Sequence, residues 1–206
     1  LEGYKPVFLR LLSGNEEDKR ETLLNKDRRF DRVIQDDFKK IAGSPIAYWV
    51  TPETFESFSS LPQLGEWADV KEGINTGDND LFLRFWWEPE YDAIGLNCID
   101  KIEADKSGAK WFPCNKGGTF RKWYGNNDYV VNWQGDGEKI RNFRDGNGKL
   151  LSRIMNTEYF FRPGMTWSGV GSSGISFRAF PAGFTFNSGG RCVFHESDNR
   201  FVLSFL

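Results

Sequence analysis

Short apolar and aromatic runs, separated by glycine and asparagine turns, are the feature of this sequence that most restricts its fold. The clearest example is the segment Lys110–Trp133, which is divided by the turn signals Lys116–Gly118 and Gly125–Asn127. Glycine and asparagine adopt the backbone conformations that tight turns need. Short β-forming pieces between such turns predict strands, and in this segment a β-hairpin.

The aromatic and glycine content of the whole chain supports a β-rich fold. Its 206 residues include 19 Phe, 8 Trp and 6 Tyr, together with 22 Gly. Aromatic side chains pack well on pleated sheets, and glycine is common in the turns between short strands. A chain of this length can bury enough surface for one domain with a small appendage.

The helical signals are concentrated in the first 60 residues, which precede a β-rich domain over residues 61–206. The predicted elements of the first part are helices over Glu16–Asn25 and Gln35–Ile41, a helix that starts at Thr51 and Pro52, and short strands over 30–34 and 46–50. We interpret residues 1–60 as a helical lead-in that links the β-rich domain to a neighbouring domain.

The elements predicted for residues 61–206 are short. Strands are predicted over Leu64–Gly73, Leu81–Trp87, Met165–Gly169, Ser176–Arg178, Phe184–Phe186 and Cys192–Phe194, and a helix over Glu138–Arg144. Between the first two strands lies a polar loop, 73–80. Its Asx-type turn residues predict that it presents Asn75, Thr76, Asp78 and Asn79 outward. The spacing of its acids does not match an EF-hand, so we predict no metal site there.

Charge is distributed unevenly along the chain, although the net charge is only −2. Residues 1–109 hold 14 Lys and Arg against 22 Asp and Glu, whereas residues 110–206 hold 13 against 7. A polyanionic partner would therefore meet the second half of the chain.

The basic half contains the most distinctive chemistry, in the segment Lys110–Trp133. Four cations, Lys110, Lys116, Arg121 and Lys122, alternate there with seven aromatic residues and a single acid. Cations can meet phosphates, aromatic rings can stack or pack, and glycines let backbone amides come close to a ligand. This pattern fits a nucleic-acid surface. It also fits a hairpin with a solvated basic face and a buried aromatic face.

No catalytic constellation is visible in the sequence. The only histidine is His195, and no nucleophile elbow, Walker lysine or zinc-protease pattern occurs. Three widely spaced cysteines, Cys98, Cys114 and Cys192, predict reduced thiols in a cytoplasmic protein, and no apolar run is long enough to span a membrane. The chain lacks an initiator Met and stops within an apolar run, so we expect it to be a segment of a longer protein.

Several blocks of the sequence carry a resemblance to a known family. They are Gly43–Val50, Leu64–Gly73, Thr76–Asp80, Phe82–Trp87, Lys110–Pro113, Asn115–Gly125, Val131–Trp133 and Ile140–Asn142. Together they resemble the region that follows the catalytic domain in PglX-type adenine-specific DNA methyltransferases of BREX phage-defence systems. The sequence is similar, more distantly, to fused type II restriction–methylation enzymes.

The resemblance implies a target-recognition domain that is separate from its methyltransferase domain. Such domains are α+β, with a twisted, mostly antiparallel sheet. The S-adenosylmethionine pocket and the Asn-Pro-Pro-Tyr motif that holds the flipped adenine belong to the catalytic domain, and neither lies in this segment. The implied partners are double-stranded DNA, the methyltransferase domain of the same parent chain and other defence-system proteins, with no membrane. No cofactor, metal or catalytic residue is expected within the segment itself.

Candidate DNA contacts follow from residue type and loop position. A domain of this kind has to hold phosphates and read base edges. The phosphate candidates are Lys116, Arg121 and Lys122, the candidate guanine readers are Arg178 and Arg191, and the candidate readers of adenine edges are Asn75, Asn79, Asn126 and Asn187. Thr76 and Lys110 are further candidate DNA contacts. Arg84, beside Phe82 and Trp86, is interpreted as structural.

Two other function classes compete with DNA recognition. An aromatic-faced β module could bind carbohydrate, but such a module predicts secretion and disulfides, which this sequence does not indicate. A protein-interaction domain of a defence complex, with the acidic first half as its contact surface, is compatible with DNA recognition in the same chain.

Overall fold

The computed structural model describes residues 3–25, 29–171 and 174–195, which divide into two compact units, 1–63 and 64–206. Helices and mostly antiparallel sheets occur together, which confirms the α+β prediction. Among the described residues, all regular strands lie in the second unit.

The first unit is built from short helices with well-formed N-termini. They are α1 (Glu16–Leu24), a 3₁₀ helix (Gln35–Lys40) and α2 (Pro52–Ser60). Asn15 caps α1, because its side-chain oxygen accepts a hydrogen bond from the Asp18 amide at 3.0 Å. Thr51 caps α2 in the same way, as predicted, since it accepts from the Thr54 amide. All three predicted helices are therefore confirmed.

The two strands predicted in the first unit are wrong. Phe30 forms only one isolated bridge, to Phe8, and residues 46–50 form a turn in which the Val50 amide donates to the Ala47 carbonyl. The apolar residues on which these strand predictions were based pack into a small hydrophobic core instead. The ring of Tyr48 stacks on Phe8 at 4.5 Å, beside a buried cluster of Val33, Phe38 and Phe55.

The second unit contains four short helices and eight short strands within its described residues. The helices are α3 (Leu64–Trp67), α4 (Asn79–Phe82), α5 (Lys101–Ser107) and α6 (Gln134–Arg141), with 3₁₀ turns at Tyr91–Ala93 and Thr157–Tyr159. The strands are β1 (Asp69–Lys71), β2 (Leu83–Phe85), β3 (Trp111–Asn115), β4 (Tyr129–Asn132), β5 (Gly164–Ser168), β6 (Arg178–Phe180), β7 (Thr185–Phe186) and β8 (Gly190–Phe194).

The strands form two four-stranded sheets. The first has the order β1-β8-β5-β6 and is antiparallel throughout, and the second has the order β2-β4-β3-β7, in which only β3 and β7 are parallel. Strands β3 and β4 are an antiparallel pair, so the hairpin predicted within Lys110–Trp133 is confirmed. Its connecting segment, 116–128, is much longer than a tight turn.

Aromatic side chains from both sheets share one hydrophobic core. Phe186 of the second sheet packs on Phe194 of the first with ring centres 5.5 Å apart, and Phe160 contacts Phe186 at 5.1 Å. Phe112 and Phe161 meet edge to face at 5.7 Å in the same cluster. Burial of these rings is the main stabilising term for such short strands.

Several element predictions in this unit need correction. The strand predicted over Ser176–Arg178 lies two residues later, at Arg178–Phe180, and helix α5 was not predicted. Residues 64–73 begin as helix α3 and only Asp69–Lys71 is a strand. Residues 79–82 form helix α4 before β2, because the Asp78 side chain caps it by accepting from the Leu81 amide at 3.0 Å. Helix α6 starts and ends earlier than predicted, at Gln134–Arg141. At residues 79–82 the Asp78 cap overrides the apolar alternation that favoured a strand.

The three cysteines are free and buried. Burial raises the pKa of Cys114 to about 12 and that of Cys192 well above its usual value. In the described part of the chain, no helix combines the length and apolar character needed to cross a membrane, and no group of three potential metal ligands occurs.

Gly73 gives a direct test of how closely the two sheets are joined. A Cβ atom at Gly73 would lie 2.0 Å from the carbonyl oxygen of Phe186, so Gly73→Ala must displace backbone of the shared core. We expect the free energy of unfolding in urea to fall by at least about 2 kcal/mol. Gly65→Ala is the matched control, because a Cβ there meets nothing within 4 Å. Gly65→Ala should leave the free energy of unfolding unchanged or raise it by up to about 1 kcal/mol. If both variants change the free energy of unfolding equally, the close packing at Gly73 is contradicted.

Candidate nucleic-acid interface

The segment between β3 and β4 ends in a strongly exposed tip, Phe120–Tyr124, which we call the tip loop. Its three aromatic side chains are 50% (Phe120), 54% (Trp123) and 68% (Tyr124) exposed. Arg121 and Lys122 between them are also exposed, and the tip loop contains no acid. Large aromatic rings are more often buried, so three exposed rings beside two exposed cations make the tip loop a candidate binding surface.

Main-chain hydrogen bonds fasten the tip loop to the first sheet. The Trp123 amide donates to the Phe177 carbonyl at 2.8 Å, and the Ala179 amide donates to the Trp123 carbonyl at 2.9 Å. Trp123 adopts a positive φ of 74°, which is unfavourable for an aromatic residue and persists only where the surroundings hold it. Ser168 of β5 adds a side-chain bond to the Gly118 carbonyl at 2.9 Å.

Arg178 lies beneath the tip loop and is only 1% exposed. Its Nη1 donates to the Ser176 carbonyl and hydroxyl, both at 3.2 Å, and to the Arg121 carbonyl at 3.4 Å, while Nη2 donates to the Ser168 hydroxyl at 3.4 Å. Burial lowers the pKa of Arg178 below its usual value. A guanidinium in this position braces the loop, so the expectation that Arg178 reads guanine does not fit its burial.

Three other predicted contact residues are also buried and hold loops in place. Asn126 donates its amide to the Thr119 carbonyl at 2.9 Å, and the Asn187 side-chain oxygen accepts from the Gly189 and Gly190 amides at 2.9 and 3.1 Å. The Thr76 hydroxyl donates to the Asn79 side-chain oxygen at 2.8 Å. These bonds use the polar groups that were expected to read base edges.

Glycines bring the loop that contains Asn187 against the start of the 116–128 segment. A Cβ on Gly117 would lie 2.6 Å from the Gly189 carbonyl oxygen, and one on Gly189 would lie 2.6 Å from the Lys116 carbonyl oxygen. Lys116 itself is half-buried, with its Nζ 4.2 Å from the centre of the Tyr129 ring. The two loops therefore form one continuous backbone surface.

The remaining predicted residues lie around this surface or away from it. Asn75 is exposed on the loop before α4, and Asn79 is exposed as the first residue of α4. The Ser188 amide joins this loop by donating to the Ile74 carbonyl at 2.9 Å. Arg191 is exposed on β8, 3.7 Å from the Glu72 carboxylate. Lys110 lies at the opposite end of β3 from the tip loop. The structure thus gathers every predicted residue except Lys110 on neighbouring loops and strands.

Sequence reasoning named the cations of this surface but not its exposed rings. Phe120, Trp123 and Tyr124 are aromatic like the many residues of the core, so residue type alone did not predict that these three side chains are exposed. Their position between two turn signals and beside Arg121 and Lys122 was the available clue.

Comparison with known proteins decides which family the segment resembles. No protein-family model matches the chain. It is 43% identical over 200 residues to the adenine-specific methyltransferase BrxX of Escherichia coli O9:H4 (strain HS), a match that covers 97% of this chain. It is 42% identical over 181 residues, 85% of the chain, to the adenine-specific methyltransferase PglX of Lacticaseibacillus casei (strain Zhang).

The chain is homologous to a segment of PglX-type adenine-specific methyltransferases. The resemblance predicted from the sequence blocks is thereby confirmed. The chain spans only 15% of the length of each of these two relatives. Most of each relative therefore lies outside the matched region.

Arg178 can be tested as the brace of the tip loop. Arg178→Ala leaves buried carbonyl and hydroxyl acceptors without a donor and opens a cavity, so we expect the free energy of unfolding to fall by about 3 kcal/mol. The amide of Trp123 should also exchange with solvent faster.

Arg191→Ala is the matched control for that experiment, because it removes an arginine that is exposed and forms one long ion pair. Arg191→Ala should lower the free energy of unfolding by less than about 1 kcal/mol. An Arg178→Ala protein as stable as this control would contradict the bracing role.

Proposed function

We propose that the PglX-type segment is a DNA sequence-recognition domain of a site-specific adenine methyltransferase. In this proposal it positions duplex DNA for N6-adenine methylation by a catalytic domain that lies outside this sequence. The observation that carries the proposal is the tip loop, in which exposed rings and cations stand together on a backbone held by buried Arg178. The names of both relatives support the adenine-specific methyltransferase context.

The proposed contacts divide into positioning and reading groups. Arg121 and Lys122, with Lys116 at the base of the segment, meet phosphates of the duplex. Asn75, Asn79 and Arg191 are the proposed readers of base edges, because their side chains are exposed on adjoining elements. The side-chain oxygens of Asn75 and Asn79 already accept bonds from the Gly77 amide and the Thr76 hydroxyl, so their amide nitrogens would make the base contacts. The buried residues Thr76, Asn126, Arg178 and Asn187 keep the loops that carry these contacts in place.

The methyl donor is assigned to the rest of the parent enzyme. S-adenosylmethionine would supply the methyl group there, and this sequence contains no Asn-Pro-Pro-Tyr motif for holding a flipped adenine. The segment is therefore proposed to be non-catalytic by itself. Its proposed partners are double-stranded DNA and the methyltransferase domain of the same parent chain, acting in the cytoplasm within a phage-defence system.

A protein-contact role is a second candidate, and a different surface favours it. Trp86 and Trp87 are both more than half exposed after β2, and Phe85 stacks between Trp87 at 4.6 Å and Tyr129 at 4.8 Å. Exposed tryptophans of this kind are typical of protein interfaces. This aromatic surface is compatible with docking of a second domain or another defence-system protein while the tip loop binds DNA.

The proposed function predicts the salt dependence of DNA binding. Each phosphate contact adds about 0.9 to the slope of log affinity against log salt concentration. Removing two contacts in an Arg121→Ala/Lys122→Ala variant should therefore lower the slope by about 1.8. The measurement is fluorescence anisotropy with a mixed-sequence duplex across a range of salt concentrations.

A matched control for this variant exists on helix α1. Lys19→Ala/Arg20→Ala removes the same pair of residue types and the same charge from another part of the chain. Its slope should equal that of the wild type. If both double variants lower the slope equally, the effect comes from net charge and the tip loop is not the DNA surface.

A further inference from the structure

A second basic site lies at the other end of β3, in a groove between β2 and helix α6. Its volume is about 550 Å³. Four cations line it, and no acid does; the full lining is Leu81, Phe82, Arg84, Lys110, Trp111, Asn132, Lys139, Asn142, Phe143 and Arg144. We call this feature the basic groove.

The cations of the basic groove are not neutralised by the protein. Within residues 3–25, 29–171 and 174–195, neither Arg84, Lys110, Lys139 nor Arg144 forms an ion pair with a carboxylate. Like charges that converge in a concave surface raise the local potential and attract an anion. The neighbouring cation Arg141, by contrast, forms an ion pair with Asp136 at 2.9 Å.

Main-chain carbonyls and an aromatic ring hold the groove arginines and Lys110 in place. Arg84 Nη1 donates to the Asp80 and Leu83 carbonyls, and Arg144 Nη1 donates to the Gly148 carbonyl at 3.1 Å. The hydrogen bonds described for these two guanidinium groups use only Nη1. Their Nε and Nη2 donors are therefore available for the oxygens of a ligand.

Trp111 forms part of the groove wall, but its ring is not free to stack on a base. It is 8% exposed, and the Arg84 guanidinium carbon and Lys110 Nζ lie 5.6 and 5.2 Å from its centre. The groove thus offers positive charge and amide groups without an open aromatic face. That combination favours a phosphate group over a nucleobase or a whole nucleotide.

We propose that the basic groove is a second phosphate-binding site, which takes a backbone phosphate of duplex DNA. The inference rests on the proposed function and extends it to a part of the hairpin far from the tip loop. The five residues of β3 span about 13 Å, which is close to the major-groove width of about 12 Å. A hairpin of this length can therefore contact phosphates at both of its ends.

The test compares two double variants of the 206-residue chain. Lys110→Gln/Lys139→Gln removes two groove charges without touching the main-chain bonds of Arg84 or Arg144. Lys5→Gln/Lys106→Gln removes two exposed lysines outside the groove. The groove variant should lower the salt slope of duplex binding by about 1 to 2, whereas the control should leave it unchanged. Circular dichroism checks that both variants remain folded.

A titration with inorganic phosphate, followed by NMR shifts of the Lys139 and Arg144 amides, separates the possible sources of the phosphate. If the groove variant loses phosphate binding but keeps the full DNA slope, the site takes a free phosphate and the backbone assignment is overturned. If the Arg121→Ala/Lys122→Ala variant lowers the slope and the groove variant does not, the inference fails while the proposed function stands. If the wild-type chain binds no duplex even at low salt, both fail.

Discussion

The candidate binding surface depends on one arginine that is buried without a carboxylate partner in the described structure. Removing a guanidinium from water is costly, and here only carbonyl and hydroxyl oxygens offset that cost. Those oxygens belong to Arg121 of the tip loop, to Ser168 of β5 and to Ser176 just before β6, so Arg178 couples the positions of these three segments. The positive φ of Trp123 and the exposed rings beside it are maintained by this coupling.

The aromatic core shared by the two sheets holds in place the strands that carry the tip loop. Phe186 and Phe194 join the two sheets, and each sheet contributes only short strands that would be marginal alone. Because the sheets share one core, β3 and β4 hold the connecting segment at a fixed place relative to β5 and β6. The same hairpin carries the tip loop at one end and the basic groove at the other. A rigid support that carries polar side chains at both ends suits the proposed recognition of DNA.

Local sequence signals were enough to predict the three helices of the first unit and the hairpin of β3 and β4, whereas helices α3, α4 and α5 were not predicted. Thr51 and the Glu16–Leu24 helix obey capping and charge rules that act over a few residues. The strand at 81–87 was mispredicted at its start because the Asp78 cap favours a helix over the apolar alternation. At the site, Arg121 and Lys122 were identified from their neighbours. The burial of Arg178 and Asn187 was not predictable, since it depends on packing between loops distant in sequence.

Specificity is the property that most directly defines a recognition domain, and a chimaera can measure it. The 206-residue chain would replace the matched region of full-length Escherichia coli BrxX, and methylated adenines would be mapped across the genome of a host expressing the chimaera. We predict that adenine methylation persists but moves to a different DNA sequence. An active chimaera that still methylates the sequence recognised by the unmodified Escherichia coli protein would contradict it.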